Sequence, residues 1–312
     1  MKPKTVVLWM YSNDNGYIPT LQLCDQLSAR GLEVFHDFDM RDCYVLSGKV
    51  YTACGRCLSD DDVLFHMNAD DQSAFQGDIL RALETSGVRI YNACAPFFEC
   101  LDKFHTNQKL RKYGVRVPDA ALLSRHPDPA ILKSIFTAWG TVLFKPRRAH
   151  GASGIIRFDD VEQFSDFTQA TSAAFEHYYL EQYIPFGERD YRVEILNGKC
   201  LGGYGRKKMH RFKTNISAGG EMLPSKLGEE VKVALNAASV MKIESTIVDM
   251  IQSQASGEFY VLEVNPLLGI FVESAMRAGS KMPDTEPDPA YCYDHLKINA
   301  IANCLEVLAR SA

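Results

Sequence analysis

The apolar residues of the first hundred positions come in short runs separated by mixed stretches. Thr5–Met10 (TVVLWM) is predicted to be a buried strand. Residues 18–30 read as a helix, with Gly31 just past its end as a C-cap. Residues 32–38 (LEVFHDF) form the next strand, so the chain opens as a βαβ unit. A third strand over 63–67 (VLFHM), a helix over about 74–86 stopped at Gly87, and a strand over 88–92 complete a small parallel-sheet domain.

The pattern changes after residue 100. An amphipathic helix over 102–113 ends at Gly114. The strand 141–145 (TVLFK) runs into Pro146-Arg147-Arg148-Ala149-His150-Gly151-Ala152-Ser153-Gly154, and a strand over 155–158 follows. Asp159 is the expected N-cap of a helix over about 160–172. Residues 179–184 are a strand, and 189–196 and 199–204 are strands joined by Asn197-Gly198, a strong hairpin signal. A helix over about 226–241 precedes the strands 243–251 and 258–265, and helices near 272–279 and 293–310 close the chain. The fold class is α/β, with an α+β second half.

Two phosphate-binding signatures are absent. The first strand-to-helix turn, Tyr11 to Gly16, lacks GxGxxG spacing, and no GxxxxGK[ST] string occurs. The glycines of 151–154 instead sit between two strands, as in a flap over phosphates. The richest chemistry lies at Asp249, Glu263 and Asn265. A hairpin turning about Ser256 sets Asp249 opposite Glu263, with Asn265 on the same face. Carboxylates in such apolar strands are costly unless they bind a cation, and oxygen ligands suit Mg²⁺. Edge carboxylates facing water are the alternative, and spacing alone leaves both open.

Composition narrows the classes. The 312 residues are 46% hydrophobic and 23% charged, which is ordinary for globular proteins. Their length suits two or three subdomains. The net charge of −5 disfavours a general nucleic-acid binder. No apolar run is long enough to span a bilayer, and no signal peptide is evident. Nine cysteines without a secretion signal suggest a reducing cytoplasm. Cys54-Gly55-Arg56-Cys57 is read as incidental thiols, with zinc or redox chemistry as rivals.

The order of motifs resembles the ATP-grasp superfamily. Lys145-Pro146 after a strand, the glycine flap, Glu181-Gln182-Tyr183-Ile184, and Glu263-Val264-Asn265-Pro266 follow one another as in that superfamily. The chain looks most like its RimK-type glutamate-ligase and glutathione-synthetase branch. Asp102-Lys103-Phe104, with Thr106, Leu110, Gly114 and Pro118, is similar to that branch's "DK…T…L…G…P" segment. The stretch Arg211 to Gly220 resembles its "FRSN…GG" loop. Departures are Ile247 where a glycine is usual, the ending Glu263-Val264-Asn265-Pro266-Leu267-Leu268-Gly269, and Thr214 and Ile216 in the loop.

The resemblance implies an ATP-grasp fold in three parts: an N-terminal parallel α/β domain over 1–100, a lid subdomain over 101–180 and a C-terminal subdomain over 181–312. It implies that Lys103 and Lys145 reach the ATP phosphates under Gly151, Ser153 and Gly154. Glu181 to Ile184 would present the hinge backbone to adenine, and Glu188 the ribose, with Asp190 and Lys213 beside the nucleotide. Arg192 and Arg206 would hold the transferred phosphoryl group and the acyl oxygen, and Arg211, the third catalytic candidate, would with Lys213 set which anion is accepted. Asp249, Glu263 and Asn265 would hold Mg²⁺, with Mn²⁺ able to stand in. The implied activity is ATP-dependent joining of a carboxylate, free or in a peptide, to an amine through an acyl phosphate, in the cytoplasm. The substrates are suspected to be acidic amino acids or peptides, with no nucleic-acid or membrane partner and self-association left open. An ATP-grasp kinase and a non-catalytic nucleotide binder are the alternatives.

Overall fold

In a computed structural model, the described residues are 3–10, 14–67, 74–148, 154–208, 222–269 and 294–311. The first unit contains β1 (Thr5–Trp9), α1 (Asp14–Ala29), β2 (Glu33–Phe35), β3 (Tyr44–Leu46), β4 (Lys49–Tyr51), β5 (Val63–His66), α2 (Ala74–Thr85) and β6 (Arg89–Tyr91). Strands β2-β1-β5-β6 form a parallel sheet. Every residue of β1 and β5 is buried, as expected of parallel strands covered on both faces. The β3–β4 hairpin escaped the sequence pattern because β3 does not alternate: all three of its residues are exposed. Its turn at Ser47-Gly48 has positive φ at both positions, which the Ser-Gly pair could have signalled. Cys54 follows this hairpin, its thiol 3.1 Å from the Thr52 hydroxyl.

The second unit follows α3 (Cys94–Cys100) and α4 (Lys103–Lys112). It contains β7 (Ala120–Ser124), α5 (Pro129–Trp139), β8 (Val142–Phe144), β9 (Ile156–Phe158), α6 (Val161–Thr171) and β10 (His177–Gln182). The antiparallel order is β7-β10-β8-β9, and a cluster including Phe136, Phe144, Phe158, Phe164 and Tyr178 packs on one face. Asp128 capping the Ala130 amide, with Pro129 at the first helical position, starts α5, a signal present in the sequence but not used there. The expected cap Asp159 is displaced by one residue. Asp160 accepts from the amides of Glu162 and Gln163, while Asp159 pairs with Arg157.

The third unit contains β11 (Tyr191–Leu196), β12 (Lys199–Arg206), β13 (Met222–Pro224), α7 (Glu229–Met241), β14 (Ser245–Gln252) and β15 (Phe259–Asn265), in the antiparallel order β13-β12-β11-β14-β15. Helix α7 covers one face, with α4 beside it. The opposite face carries the polar residues described below. The last described helix, α8 (Asp294–Ser311), returns to pack on α1, β1 and β5. The expected helix near 272–279 lies outside the described residues. Asn92, just after β6, ties the first sheet to the third. It donates to the carbonyls of Ser245 (2.7 Å) and Pro266 (2.8 Å) and accepts from the amide of Ser245. No helix among the described residues is long and apolar enough to cross a membrane.

His66, at the end of β5, is 2% exposed and meets the ring of Phe97 edge-on at 4.5 Å. Burial pushes its imidazole down from 6.5 to about 4, outweighing the polar backbone at Asn92. The unfolded chain therefore takes up this proton first as pH falls. Stability attached to His66 is complete above pH 6.5 and is lost between there and about pH 4. The shift corresponds to about 3 kcal/mol. Chemical denaturation across pH 4–7 should show a loss in the wild type about that much larger than in His66→Leu. Parallel profiles would refute the assignment.

Candidate active site

Four neighbouring strands align one polar row across the third sheet. Tyr204 on β12 pairs with Arg192 on β11, Arg192 with Asp249 on β14, and Asp249 with Glu263 on β15. Directly paired residues project to the same face, so these four side chains meet. Arg192 Nε donates to Asp249 Oδ1 at 2.6 Å, and its Nη1 to the Tyr204 hydroxyl at 3.0 Å. Arg206 donates to Asp190 from both backbone and guanidinium, and to Asp249 Oδ2 at 3.1 Å. Asp190, expected beside the nucleotide, is 2% exposed and occupied in orienting Arg206. Lys103, the first residue of α4, reaches across to Glu263 Oε1 at 2.8 Å.

A bulge tunes the end of this row. Asp249 faces Glu263, but Met250 faces Val261, so β15 carries one extra residue. Val261 and Val264 both sit in the core under α7 although three positions apart. Leu262 and Glu263 are therefore both turned to the other face. Leu262 packs there with Tyr183, Ile184, Phe186 and Ile251. This places an apolar platform beside the acidic row, a feature the sequence pattern missed because two adjacent residues share a face. Asn265 pairs with Ile247, its amide nitrogen 3.5 Å from the Ile247 carbonyl.

The sheet of the second unit carries its own buried cation, Lys145. The Lys145 amide donates to the Tyr179 carbonyl at 3.0 Å, and the ammonium bonds the carboxylate of Glu181. The Tyr179 hydroxyl donates to the other oxygen of Glu181 at 2.7 Å. Glu181, expected to serve through its backbone, thus also anchors Lys145 through its side chain. Burial, then the neighbouring Glu181 charge, hold the Tyr179 phenol well above its ordinary range. Asp102 caps α4 through the amides of Phe104 and His105 and binds Arg147. Burial alone would raise the Asp102 carboxyl, but the Arg147 hydrogen bond and the other favourable contacts keep it below the usual range. That cap fixes where Lys103 begins its helix. A cavity of about 430 Å³ opens beside Lys145, with Arg147, Phe175, His177 and Tyr179 in its walls.

Gln182 ends β10 and Tyr183 follows it, their amides donating to the carbonyls of Asp119 and Thr141. Ile184 is buried beside Leu262, and Glu188 is exposed. Arg157 lies over the Tyr183 ring at 4.8 Å. Gly154 has φ +73°, and a Cβ there would meet Pro146 Cγ at 2.8 Å, so any other residue at this position would be strained. Gly151, Ser153, Arg211 and Lys213 lie outside the described residues.

Burial is the largest influence and lowers both arginines, but the charges of Asp249 and Asp190, with the hydrogen bonds these carboxylates accept and, for Arg192, Tyr204, together hold Arg192 and Arg206 above their ordinary values. Three carboxylates (Asp190, Asp249, Glu263) and three cations (Lys103, Arg192, Arg206) neutralise one another. Such a cluster can exchange partners when a polyanion and its cation arrive together. Asp249, Glu263 and Asn265 supply two carboxylates and one amide. Among the described residues no group of three or more His, Cys, Asp and Glu is assembled for a metal. That donor set fits Mg²⁺, which takes one or two carboxylates and completes its shell with phosphate oxygens and water.

The family model described as "RimK-like ATP-grasp domain" matches residues 100–279. The coenzyme gamma-F420-2:alpha-L-glutamate ligase of Methanococcus maripaludis is 26% identical over 260 residues, covering 78% of this chain and 80% of that protein. The beta-citrylglutamate synthase B of Danio rerio is 26% identical over 194 residues, covering 61% of this chain. The chain spans about half of that relative's length, 48%. A Chryseobacterium gregarium RiPP-associated ATP-grasp ligase, solved with ADP and a leader and core peptide, superposes with a TM-score of 0.67. It is 14% identical and covers 99% of this chain and 97% of its own, a likeness of fold.

Proposed function

Because this chain belongs to the RimK-like ATP-grasp family, we propose that the polar row and the lid lysine close on ATP and drive the joining of a carboxylate to an amine. The observation that carries the reading is the neutral cluster of Lys103, Glu263, Asp249, Arg192, Arg206 and Asp190 on one sheet face. Lys145, held by Glu181, meets the phosphates from the lid. Lys103 turns from Glu263 to the triphosphate. The hinge at Gln182–Ile184 and the Leu262 platform take the adenine, and Glu188 the ribose.

Asp249, Glu263 and Asn265 would hold Mg²⁺, which would supply positive charge to the phosphoryl oxygens, and Mn²⁺ would occupy the same ligands. Arg192 and Arg206, pre-oriented by Asp249, Asp190 and Tyr204, face the charge that grows as the substrate carboxylate attacks the γ-phosphorus. The amine then displaces phosphate from the acyl phosphate, giving an amide, ADP and inorganic phosphate. The work of the protein is positioning and charge neutralisation. The names of both relatives contain glutamate, and residues 206–213 carry six basic side chains, counted as Arg206, Lys207, Lys208, His210, Arg211 and Lys213. Both support an acidic amino acid or a peptide carboxylate as one substrate.

A substrate carboxylate labelled with ¹⁸O distinguishes this reaction from a hydroxyl kinase. The attacking oxygen leaves with phosphate when the amine enters, so mass spectrometry should find one label in the inorganic phosphate. A stable phosphorylated product, with no amide and no labelled phosphate released, would establish the kinase reading instead.

A further inference from the structure

Behind the acidic row lies a second buried ion pair that the reaction above does not use. Glu194 sits two residues after Arg192 on β11, hence on the same face, and pairs with Ile247 of β14. Ile247 in turn pairs with Asn265. The Glu194 side chain is 0% exposed, and Lys297 of α8, 1% exposed, places its ammonium 2.9 Å from Glu194 Oε2. The same ammonium donates to the carbonyl of Gly269 and lies 3.3 Å from Asp294. Helix α8 otherwise belongs to the first sheet, so one lysine joins three separate parts of the molecule.

The backbone that leaves β15 is therefore gripped three times. The Thr246 hydroxyl donates to the Asn265 carbonyl at 2.6 Å, Asn92 to that of Pro266 at 2.8 Å, and Lys297 to that of Gly269. These donors come from β14, the end of β6 and α8. A buried lysine is costly, and an aliphatic side chain would pack between these elements without that cost. A lysine here makes sense as a donor whose charge Glu194 balances.

We propose that Lys297 and Glu194 are positioning residues for the metal end of the site. They hold the 266–269 loop, and through it the Asn265 side chain, in ligating geometry. The proposal rests on the reading of Asp249, Glu263 and Asn265 as metal ligands. Outer partners of this kind commonly alter metal affinity by about 10–100-fold.

The test titrates Mn²⁺ into the full-length protein with saturating ADP, reading free Mn²⁺ by electron paramagnetic resonance. Lys297→Met should weaken Mn²⁺ binding about tenfold, and Lys297→Arg should recover most of it. ADP affinity measured without metal should stay within about threefold of wild type, because Lys103 and Lys145 are untouched. Lys297→Met strands the Glu194 charge, so Glu194→Gln/Lys297→Met is made alongside to keep a folded, uncharged version of the same loss. Wild-type Mn²⁺ affinity in that folded double variant would overturn the proposal. Glu263→Gln and Asn265→Ala run in the same assay separate the two readings. If both retain full Mn²⁺ affinity, the ligand assignment itself fails. If they lose it while the double variant keeps it, only the positioning role fails.

Discussion

Glu263→Gln should lower kcat by about a thousandfold, roughly 4 kcal/mol of transition-state stabilisation. Gln keeps the volume and one oxygen but removes the charge. Two consequences follow from the geometry. The proposed cation ligand set would drop to a single carboxylate, Asp249. Lys103, 2.8 Å from Glu263, loses the counter-charge that presents it. The residue is part-exposed, its side chain 22% accessible, so the change creates no buried orphan and the fold should stand. Steady-state kinetics across Mg²⁺ concentrations, with thermal melting as the control, check this. Wild-type turnover at low Mg²⁺ would remove Glu263 from the site.

The second large effect concerns Arg192. Arg192→Lys keeps the charge but cannot reach both Asp249 and Tyr204 in the planar geometry of the guanidinium. We expect kcat to fall about 100- to 1,000-fold, the range for removing one preorganised donor from a developing anion. ATP affinity should change less than about threefold, since Lys103 and Lys145 are the proposed phosphate contacts. Lysine is the right replacement: Arg192→Met would leave Asp249 short of a partner and confuse lost catalysis with lost stability. Equal losses of nucleotide affinity and kcat, by calorimetry and turnover, would show that Arg192 serves binding instead.

The pairing of Asp249 with Glu263 was legible in the sequence. The register that set Asp249 against Glu263 came from a turn assumed at Ser256, and the pairing is as expected. It holds for a reason the pattern did not contain. Beyond the bulge the pairing shifts by one residue, and the extra position of β15 restores the register at the site end. The pattern also could not show that Glu181 grips Lys145, because cross-strand partners two strands apart in sequence are set by sheet order. The β3–β4 hairpin and α5 were missed for local reasons: an exposed strand without alternation, and a helix start whose Asp128-Pro129 signal went unread.

The sequence by itself determined what is local or ordered along the chain. Apolar runs and glycine stops determined the parallel opening. Asn197-Gly198, with φ of 47° and 70°, determined the hairpin that brings Arg192 opposite Tyr204. The succession of Lys103, Lys145, Glu181, Asp249, Glu263 and Asn265 determined the family. Only the tertiary structure decided the pairings made across long separations. Lys103 meets Glu263 across 160 residues, and Arg206 meets Asp249 across 43. Lys297 returns from the last helix to Glu194. Charges cannot be buried singly, so each had to find its opposite, but which one it found depended on how three sheets stack. Periodicity along one strand carries no record of that choice.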